Sequence, residues 1–247
     1  MSVAAVVVVH DPEPGLSRCL ETLIPQVEEL VVVDNLGRTT VQGVPVLHNE
    51  RPAGYAANAN RGIAETSTPF VVVSNPDTEA APDAVAVLRA FAERHQRAGI
   101  LGPELRHPDG TLNPSRRRFP TVGGTIVRRT PLRRVLGTTQ RAHYGLDDHP
   151  DEPVQADWLL GAFLFLRRET LDELGGFDEG FRLYGEDIDL AYRAAKAGWE
   201  RWYVPAAKVV HAHRAVTDRK LLTQRTLWHW RGIARFVRKH PERLRAL

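Results

Sequence analysis

Asn75-Pro76-Asp77 ends the apolar run Phe70 to Ser74 and sets a carboxylate where a buried segment turns outward. An acid so placed has two readings. It caps the segment that follows, or it is one of the few protein oxygens on a hard divalent ion, Mg²⁺ or Mn²⁺, whose other ligands are diphosphate oxygens. A second acidic cluster, Tyr184-Gly185-Glu186-Asp187-Ile188-Asp189-Leu190, falls where a loop enters a helix. Carboxylates in a first turn are favoured by the helix dipole. One held rigidly there is also suited to take the proton of an attacking hydroxyl. His211-Ala212-His213 follows an apolar strand, and an imidazole there either ligates a metal or is simply hydrogen-bonded.

The elements that must carry these groups are legible from apolar patterning. Val3–Val9 and Leu30–Val33 are short, continuous β-branched runs, as expected of strands buried on both faces of a parallel sheet. Between them Leu16, Cys19, Leu20, Leu23 and Ile24 repeat at helical spacing, completing a βαβ unit, with Cys19 expected at a half-buried helix position. Further strands are expected at Val44–His48, Phe70–Ser74, from Gly99, over Asp157–Arg167 and over Val204–Val210; helices at Ala56–Thr66, Ala81–Ala98, Glu169–Leu174 and Glu186–Ala197. Pro108-Asp109-Gly110-Thr111 signals a hairpin turn, so the sheet is mixed. Ligands of open α/β sheets bind at the carboxyl ends of the strands, which puts Asp34-Asn35 and Asn75-Pro76-Asp77 on one edge.

Bulk composition sets limits. The 247 residues are 43% hydrophobic and 26% charged, with a net charge of +3, as in a globular protein. The basic charge is segregated: Arg116 to Arg141 holds eight Arg and no acid, and 219–247 holds nine Lys or Arg against Glu242 alone. Such concentration points to anionic partners such as phosphates or lipid headgroups, or else to ordinary solvated faces. Ala4–Val9 lacks a basic leader and is too short for a signal-peptide core, no run is long enough to span a membrane, and one cysteine forms no internal disulfide. A cytoplasmic protein is expected. There is no GxGxxG after the first strand and no GxxxxGK[ST], so any nucleotide is held without those phosphate cradles.

Taken in order, Val31–Asn35, Gly54–Gly62, Asn75–Thr78, Gly102–Leu105, Pro108–Leu112, Pro114–Pro120, Asp157–Phe163, Gly175–Asp178, Leu183–Leu190 and Ala197–Trp199 resemble an inverting glycosyltransferase of family 2. Within that family the chain is similar to the bacterial rhamnosyltransferase-like branch that builds cell-envelope glycans. The resemblance implies a GT-A type fold: a Rossmann-like open mixed α/β sheet flanked by helices, with a helical C-terminal end. It implies a nucleoside-diphosphate sugar as donor, a bound divalent metal, and a glycan or polyprenyl-linked acceptor. The metal maps onto Asp77 with His211, and the base onto Asp187 beside Glu186. The nucleotide side maps onto His10, Asp11, Pro12, Asp34, Asn60, Arg61 and Asn75, and the sugar and acceptor wall onto Asp157, Trp158, Gly161 and Ala162. His10-Asp11 stands where the family usually has Tyr-Asn.

One transferase domain over 1–218 follows, with a nucleotide-binding half at 1–102 and an acceptor half at 103–218. Residues 219–247 form a basic helical tail. In that tail Trp230, Ile233, Ala234 and Val237 share a helical face with Arg231, Arg235, Arg238 and Lys239 around it. Such a helix either lies on the inner face of an anionic membrane, where a lipid-linked acceptor resides, or docks on the protein's own core. Nothing points to nucleic acid. Two rivals use similar acids: a sugar nucleotidyltransferase, which ordinarily needs a basic loop absent from His10–Gly15, and a non-catalytic sugar-nucleotide-binding protein.

Overall fold

A computed structural model describes residues 1–119, 148–212 and 224–242, with side chains of the last segment described from Leu227. His213, most of the Arg116–Arg141 basic stretch and the two ends of the 219–247 tail lie outside the described residues.

Four parallel strands open the chain: β1 (Val3–Val9), β2 (Glu29–Asp34), β3 (Val46–His48) and β4 (Phe70–Ser74). Short β5 (Thr78–Ala80), then β6 (Ala98–Arg106), β11 (Phe163–Arg167) and β12 (Glu200–His211) complete the order β3-β2-β1-β4-β11-β6-β12-β5. β7 (Leu112–Asn113) pairs with β6 across the expected hairpin, and β9 (Val154–Gln155) pairs with β12. β8 (Arg116–Arg117) and β10 (Trp158–Leu159) form a separate two-stranded sheet. β11 runs antiparallel to both neighbours, so its first residue, Phe163, lies opposite Ser74, the last residue of β4.

Alternation along β1 shows why the run is apolar throughout. Val3, Ala5, Val7 and Val9 pack on one face with Leu16, Cys19, Leu20 and Leu23 of α1 (Leu16–Leu23) and Leu88 and Phe91 of α3 (Ala84–Arg94). Ala4, Val6 and Val8 pack on the other with Ala56, Ala59 and Ile63 of α2 (Tyr55–Ala64), Leu171 of α4 (Arg168–Leu174) and Leu190 and Ala194 of α5 (Glu186–Lys196). Each fully buried Val or Leu stabilises the fold by roughly 1.5–3 kcal/mol, so the two layers together hold the sheet edges in place.

Several expectations need correction. The run Asp157–Arg167 is two strands, β10 and β11, because the chain turns at Gly161–Ala162 between them. The third helix spans Ala84–Arg94 only. Cys19 is fully buried, and burial pushes its thiol up to about 11. Asp77 is followed by strand β5, not by a helix, so it caps none. β6 runs through residue 102, the point where the two halves were expected to divide. The tail forms α6 (Gln224–Lys239), which packs Phe236 inward.

Candidate active site

Two side chains meet where β5 pairs with the end of β12. Thr78 lies opposite His211, and the Ala212 N–H donates to the Asp77 carbonyl at 2.9 Å. His211 is 3% exposed, and its Nε2 stands 3.3 Å from Asp77 Oδ1, while Asn113 Nδ2 meets its Nδ1 at 3.3 Å. Ligands at right angles on an ion with bonds of about 2.1 Å lie about 3 Å apart. The observed spacing therefore fits one small divalent ion, held by a carboxylate oxygen and an imidazole nitrogen. Among the described residues no group of three or more His, Cys, Asp or Glu could hold a metal. Among the described residues the site offers Asp77 and His211 as ligands, which leaves the remaining positions on an ion open to substrate oxygens.

The second acid cluster approaches the same edge through Gly161–Ala162. Asn75 N–H donates to the Ala162 carbonyl at 2.9 Å, and Gly161 N–H donates to Asp187 Oδ2 at 3.0 Å. Consecutive residues thus touch both acidic segments. The approach is close: a Cβ added at Gly161 would lie 3.3 Å from the Asp187 carboxylate oxygen. Its carbonyl accepts the Tyr55 hydroxyl at 3.2 Å. Burial raises the Tyr55 phenol far above its ordinary value, and the charges of Glu186, Asp187 and Asp77 add to the shift. One phenol therefore senses all three carboxylates.

α5 starts after Tyr184 and Gly185, both at positive φ (70° and 101°), so the turn delivers Glu186 and Asp187 at the head of a helix. Burial, then the neighbouring Asp187 charge, pushes Glu186 up to about 8. Its Oε2 is buried with no hydrogen-bond partner among the described residues. Burial raises Asp187 too, opposed by the Gly161 and Ile188 N–H groups and by the Arg117 charge. Two adjacent buried carboxyls do not both ionise easily. The hydrogen bonds and the cation favour the charge on Asp187, and burial beside that charge favours the proton on Glu186.

On the nucleotide side, Asp34 is fully buried and accepts from Thr39 N–H at 2.5 Å, Leu36 N–H at 3.2 Å and His48 Nδ1 at 3.1 Å. Burial pushes its carboxyl up, but these bonds outweigh it and hold it below the usual range. Asn35 anchors an amide network: its Oδ1 accepts from Asn49, Asn58 and Ala53 N–H, and its Nδ2 meets His10 Nδ1 at 2.7 Å. Arg61 donates to the His48 carbonyl at 2.9 Å and to Asn49. His10, Asp11 and Pro12 are exposed, and Asp11 faces Arg38 at 3.5 Å. A cleft of about 560 Å³ opens beside them, lined by Pro12, Leu16, Leu20, Arg38, Thr39 and Val41. Asn60 is not brought into this group, since its amide is engaged by both backbone groups of Phe177 and by Glu179.

The wall residues fall together around β8 and β10. Asp157 Oδ2 accepts the Phe119 N–H at 2.7 Å, and the Trp158 indole donates to the Arg118 carbonyl at 2.8 Å. The Arg117 guanidinium lies over the Trp158 ring at 5.3 Å, which sets its charge toward Asp187. Sequence reasoning missed Tyr55, Asn49, Asn58 and Arg117. Tyr55 and Asn58 stand inside the Gly54–Gly62 run and Arg117 inside Pro114–Pro120, so their presence was legible but not their roles.

Comparison with known proteins adds to this geometry. The N-acetylglucosaminyl-diphospho-decaprenol L-rhamnosyltransferase of Mycobacterium tuberculosis is 35% identical over 235 residues, covering 85% of this chain and 75% of that protein. Among solved structures, GalNAc-T7 with UDP, GalNAc and Mn²⁺ superposes with a TM-score of 0.67 at 18% identity, covering 100% of this chain and 51% of that one. The Pyrobaculum calidifontis mannosyltransferase PcManGT, in complex with GDP-Man and Mn²⁺, gives 0.60 at 18% identity, covering 95% of this chain and 64% of that one. The chain thus spans only half to two-thirds of these solved proteins, and the likeness establishes a GT-A type fold. Residues 6–229 match the model of the family described as glycosyltransferase like family 2, so the chain belongs to that family and is a rhamnosyltransferase-like glycosyltransferase.

Proposed function

We propose that this enzyme transfers a hexose, rhamnose by its nearest chemistry, from a nucleoside diphosphate to a hydroxyl of a lipid-linked glycan acceptor, inverting the anomeric centre and using a divalent metal at Asp77 and His211. The observation that carries the reading is that the Gly161–Ala162 turn bonds both to Asn75, two residues before Asp77, and to Asp187, while the charges of Asp77 and Asp187 both raise the Tyr55 phenol. The M. tuberculosis relative, whose name specifies an N-acetylglucosaminyl-diphospho-decaprenol acceptor and L-rhamnose, supports the donor and acceptor classes.

Asp187, ionised and held by two N–H donors, takes the proton of the acceptor hydroxyl. The acceptor oxygen bonds to the anomeric carbon as the bond from that carbon to the diphosphate oxygen breaks, and the diphosphate departs with the electron pair. Glu186, protonated, donates a hydrogen bond to a sugar or acceptor hydroxyl through its buried carboxyl. Asp77 and His211 would hold a divalent ion, which would supply electrostatic stabilisation of the diphosphate's charge. The Asn35 network and Asp34 fix the loops against which the nucleotide packs, with His10, Asp11, Pro12, Arg61 and Asn75 around it. Asp157, Trp158, Gly161 and Ala162 wall the sugar site.

Residues 1–218 serve as the transferase domain and α6 as an appended helix. Its outward stripe supports peripheral contact with an anionic membrane on the cytoplasmic side, where a lipid-linked acceptor would be met. Among the described residues no helix is long and apolar enough to cross a membrane.

The test is a panel of nucleoside-diphosphate sugars with and without Mn²⁺, against an N-acetylglucosaminyl-diphospho-lipid. Metal-dependent release of nucleoside diphosphate with formation of a glycosylated lipid is expected. Pyrophosphate release would mean nucleotidyl transfer, and no turnover with tight donor binding would mean a binding protein.

A further inference from the structure

α6 meets the catalytic turn at a point where no side chain fits. A Cβ on Gly232 would lie 2.2 Å from the Tyr184 carbonyl oxygen. Tyr184 itself sits at φ 70°, a region a bulky residue occupies only when its surroundings impose it. His229 packs edge-on against the Tyr184 ring at 5.5 Å. The same helix grips both flanks of the turn. Arg235 and Lys239 each reach Asp178 at 2.7 Å, and Lys239 and His240 reach the fully buried Asp189 at 2.9 and 2.8 Å. The segment Asp178–Asp189, with Glu186 and Asp187 inside it, is therefore held from outside by one helix.

The opposite side of that helix has a different character. Leu227 (49% exposed) and Trp230 (38%) are two of the four large exposed hydrophobics among the described residues. Arg231, Ala234 and Arg238 are exposed on the same stripe, and α6 contains no acidic residue. At about 100° per residue, Ala234 lies about 200° from Gly232, so the stripe faces away from the catalytic turn. Exposed Leu and Trp among arginines match an anionic lipid leaflet in both charge and polarity.

We propose that α6 couples lipid contact to the catalytic turn: seating the Leu227–Trp230–Arg231–Arg238 stripe on an anionic leaflet fixes the helix in its docked position, and its Gly232 face then holds Tyr184–Asp187 ready for turnover. The coupling rests on the membrane contact proposed above and follows from linkage, since a surface that binds the docked helix stabilises whatever docking orders. The inner face is charge-paired to buried Asp189, which a leaflet cannot replace, so lipid favours the docked state over a detached helix.

Hydrogen–deuterium exchange of the 183–187 amides is measured on the full chain, without donor, with vesicles of equimolar phosphatidylglycerol and phosphatidylcholine or of phosphatidylcholine alone. Anionic vesicles should sediment the protein and slow exchange there about tenfold, and neutral ones should do neither. A Trp230→Ala/Arg231→Glu variant should lose sedimentation and the slowing yet keep basal transfer. Gly232→Ala should still sediment, but with fast exchange that vesicles leave unchanged. Sedimentation without slower exchange, or with faster exchange, overturns the coupling while leaving the membrane contact standing. No sedimentation overturns both, and a dimer abolished by Trp230→Ala would show that a second copy covers the stripe. None of these outcomes bears on the transferase reading, which the donor panel tests separately.

Discussion

Replacing Glu186 with Gln should stabilise the protein at neutral and alkaline pH. A carboxyl whose folded value is about 8 keeps a proton that the unfolded chain, with a value near 4.3, gives up. The folded state then binds more protons than the unfolded one, so stability falls as pH rises between those values and levels off above the folded one. At about 1.4 kcal/mol per unit, the wild type should lose up to about 4 kcal/mol between pH 5 and pH 8 that the neutral, isosteric Gln does not lose. Urea unfolding of both proteins at pH 5, 6, 7 and 8 measures the difference directly. The two stability curves should converge near pH 5 and diverge upward, with the variant higher. Parallel curves would refute the assignment of Glu186 as the neutral member of the pair, and with it the argument that leaves Asp187 ionised. Transfer should persist in the variant, because Gln still donates a hydrogen bond.

Asp187→Asn should preserve donor binding and lower kcat by about 100-fold or more, as loss of a general base does; calorimetric donor titration beside a turnover assay separates the two effects. Because burial raises Asp187, the acid limb of the wild-type kcat/KM profile should lie above the ordinary carboxylate range, with activity falling as pH drops through it. Asp77→Ala and His211→Ala should each weaken Mn²⁺-dependent donor binding by about tenfold or more, read by titrating Mn²⁺ at fixed donor. Asn35→Ala leaves Asn49, Asn58 and Ala53 N–H without their shared acceptor and should cost about 2–3 kcal/mol in urea unfolding.

The strands were legible because burial on both faces demands unbroken apolar runs, and Val3–Val9 and Phe70–Ser74 have them. The turn at Gly161–Ala162 was not, since a buried turn between two apolar strands reads as one long strand. β5 is three residues long and gives no period to detect. Asp77, Asp187 and His211 stood out by residue type and by position at strand or helix ends. Asn35, Asn49 and Asn58 gave no such signal: each amide is polar in the sequence, and only folding brings them onto one oxygen. Arg117 was hidden in a basic run that reads equally as solvated surface, until Trp158 fixes its place. For α6 the two readings fall on opposite faces of one helix: Phe236 packs inward as docking on the core requires, while Trp230 stays exposed on the face for which lipid contact is proposed.

The antiparallel strand β11 has a mechanical consequence. Drawn from the later part of the chain, it is hydrogen-bonded between β4 and β6 of the earlier part, in the middle of a ten-stranded sheet. Among the described residues no cleavage plane separates a donor-gripping lobe from an acceptor-gripping lobe, as the hinge of a jaw would. Any opening that admits or releases substrate would therefore fall to the connections at the carboxyl edge, because the continuous sheet leaves no seam to part.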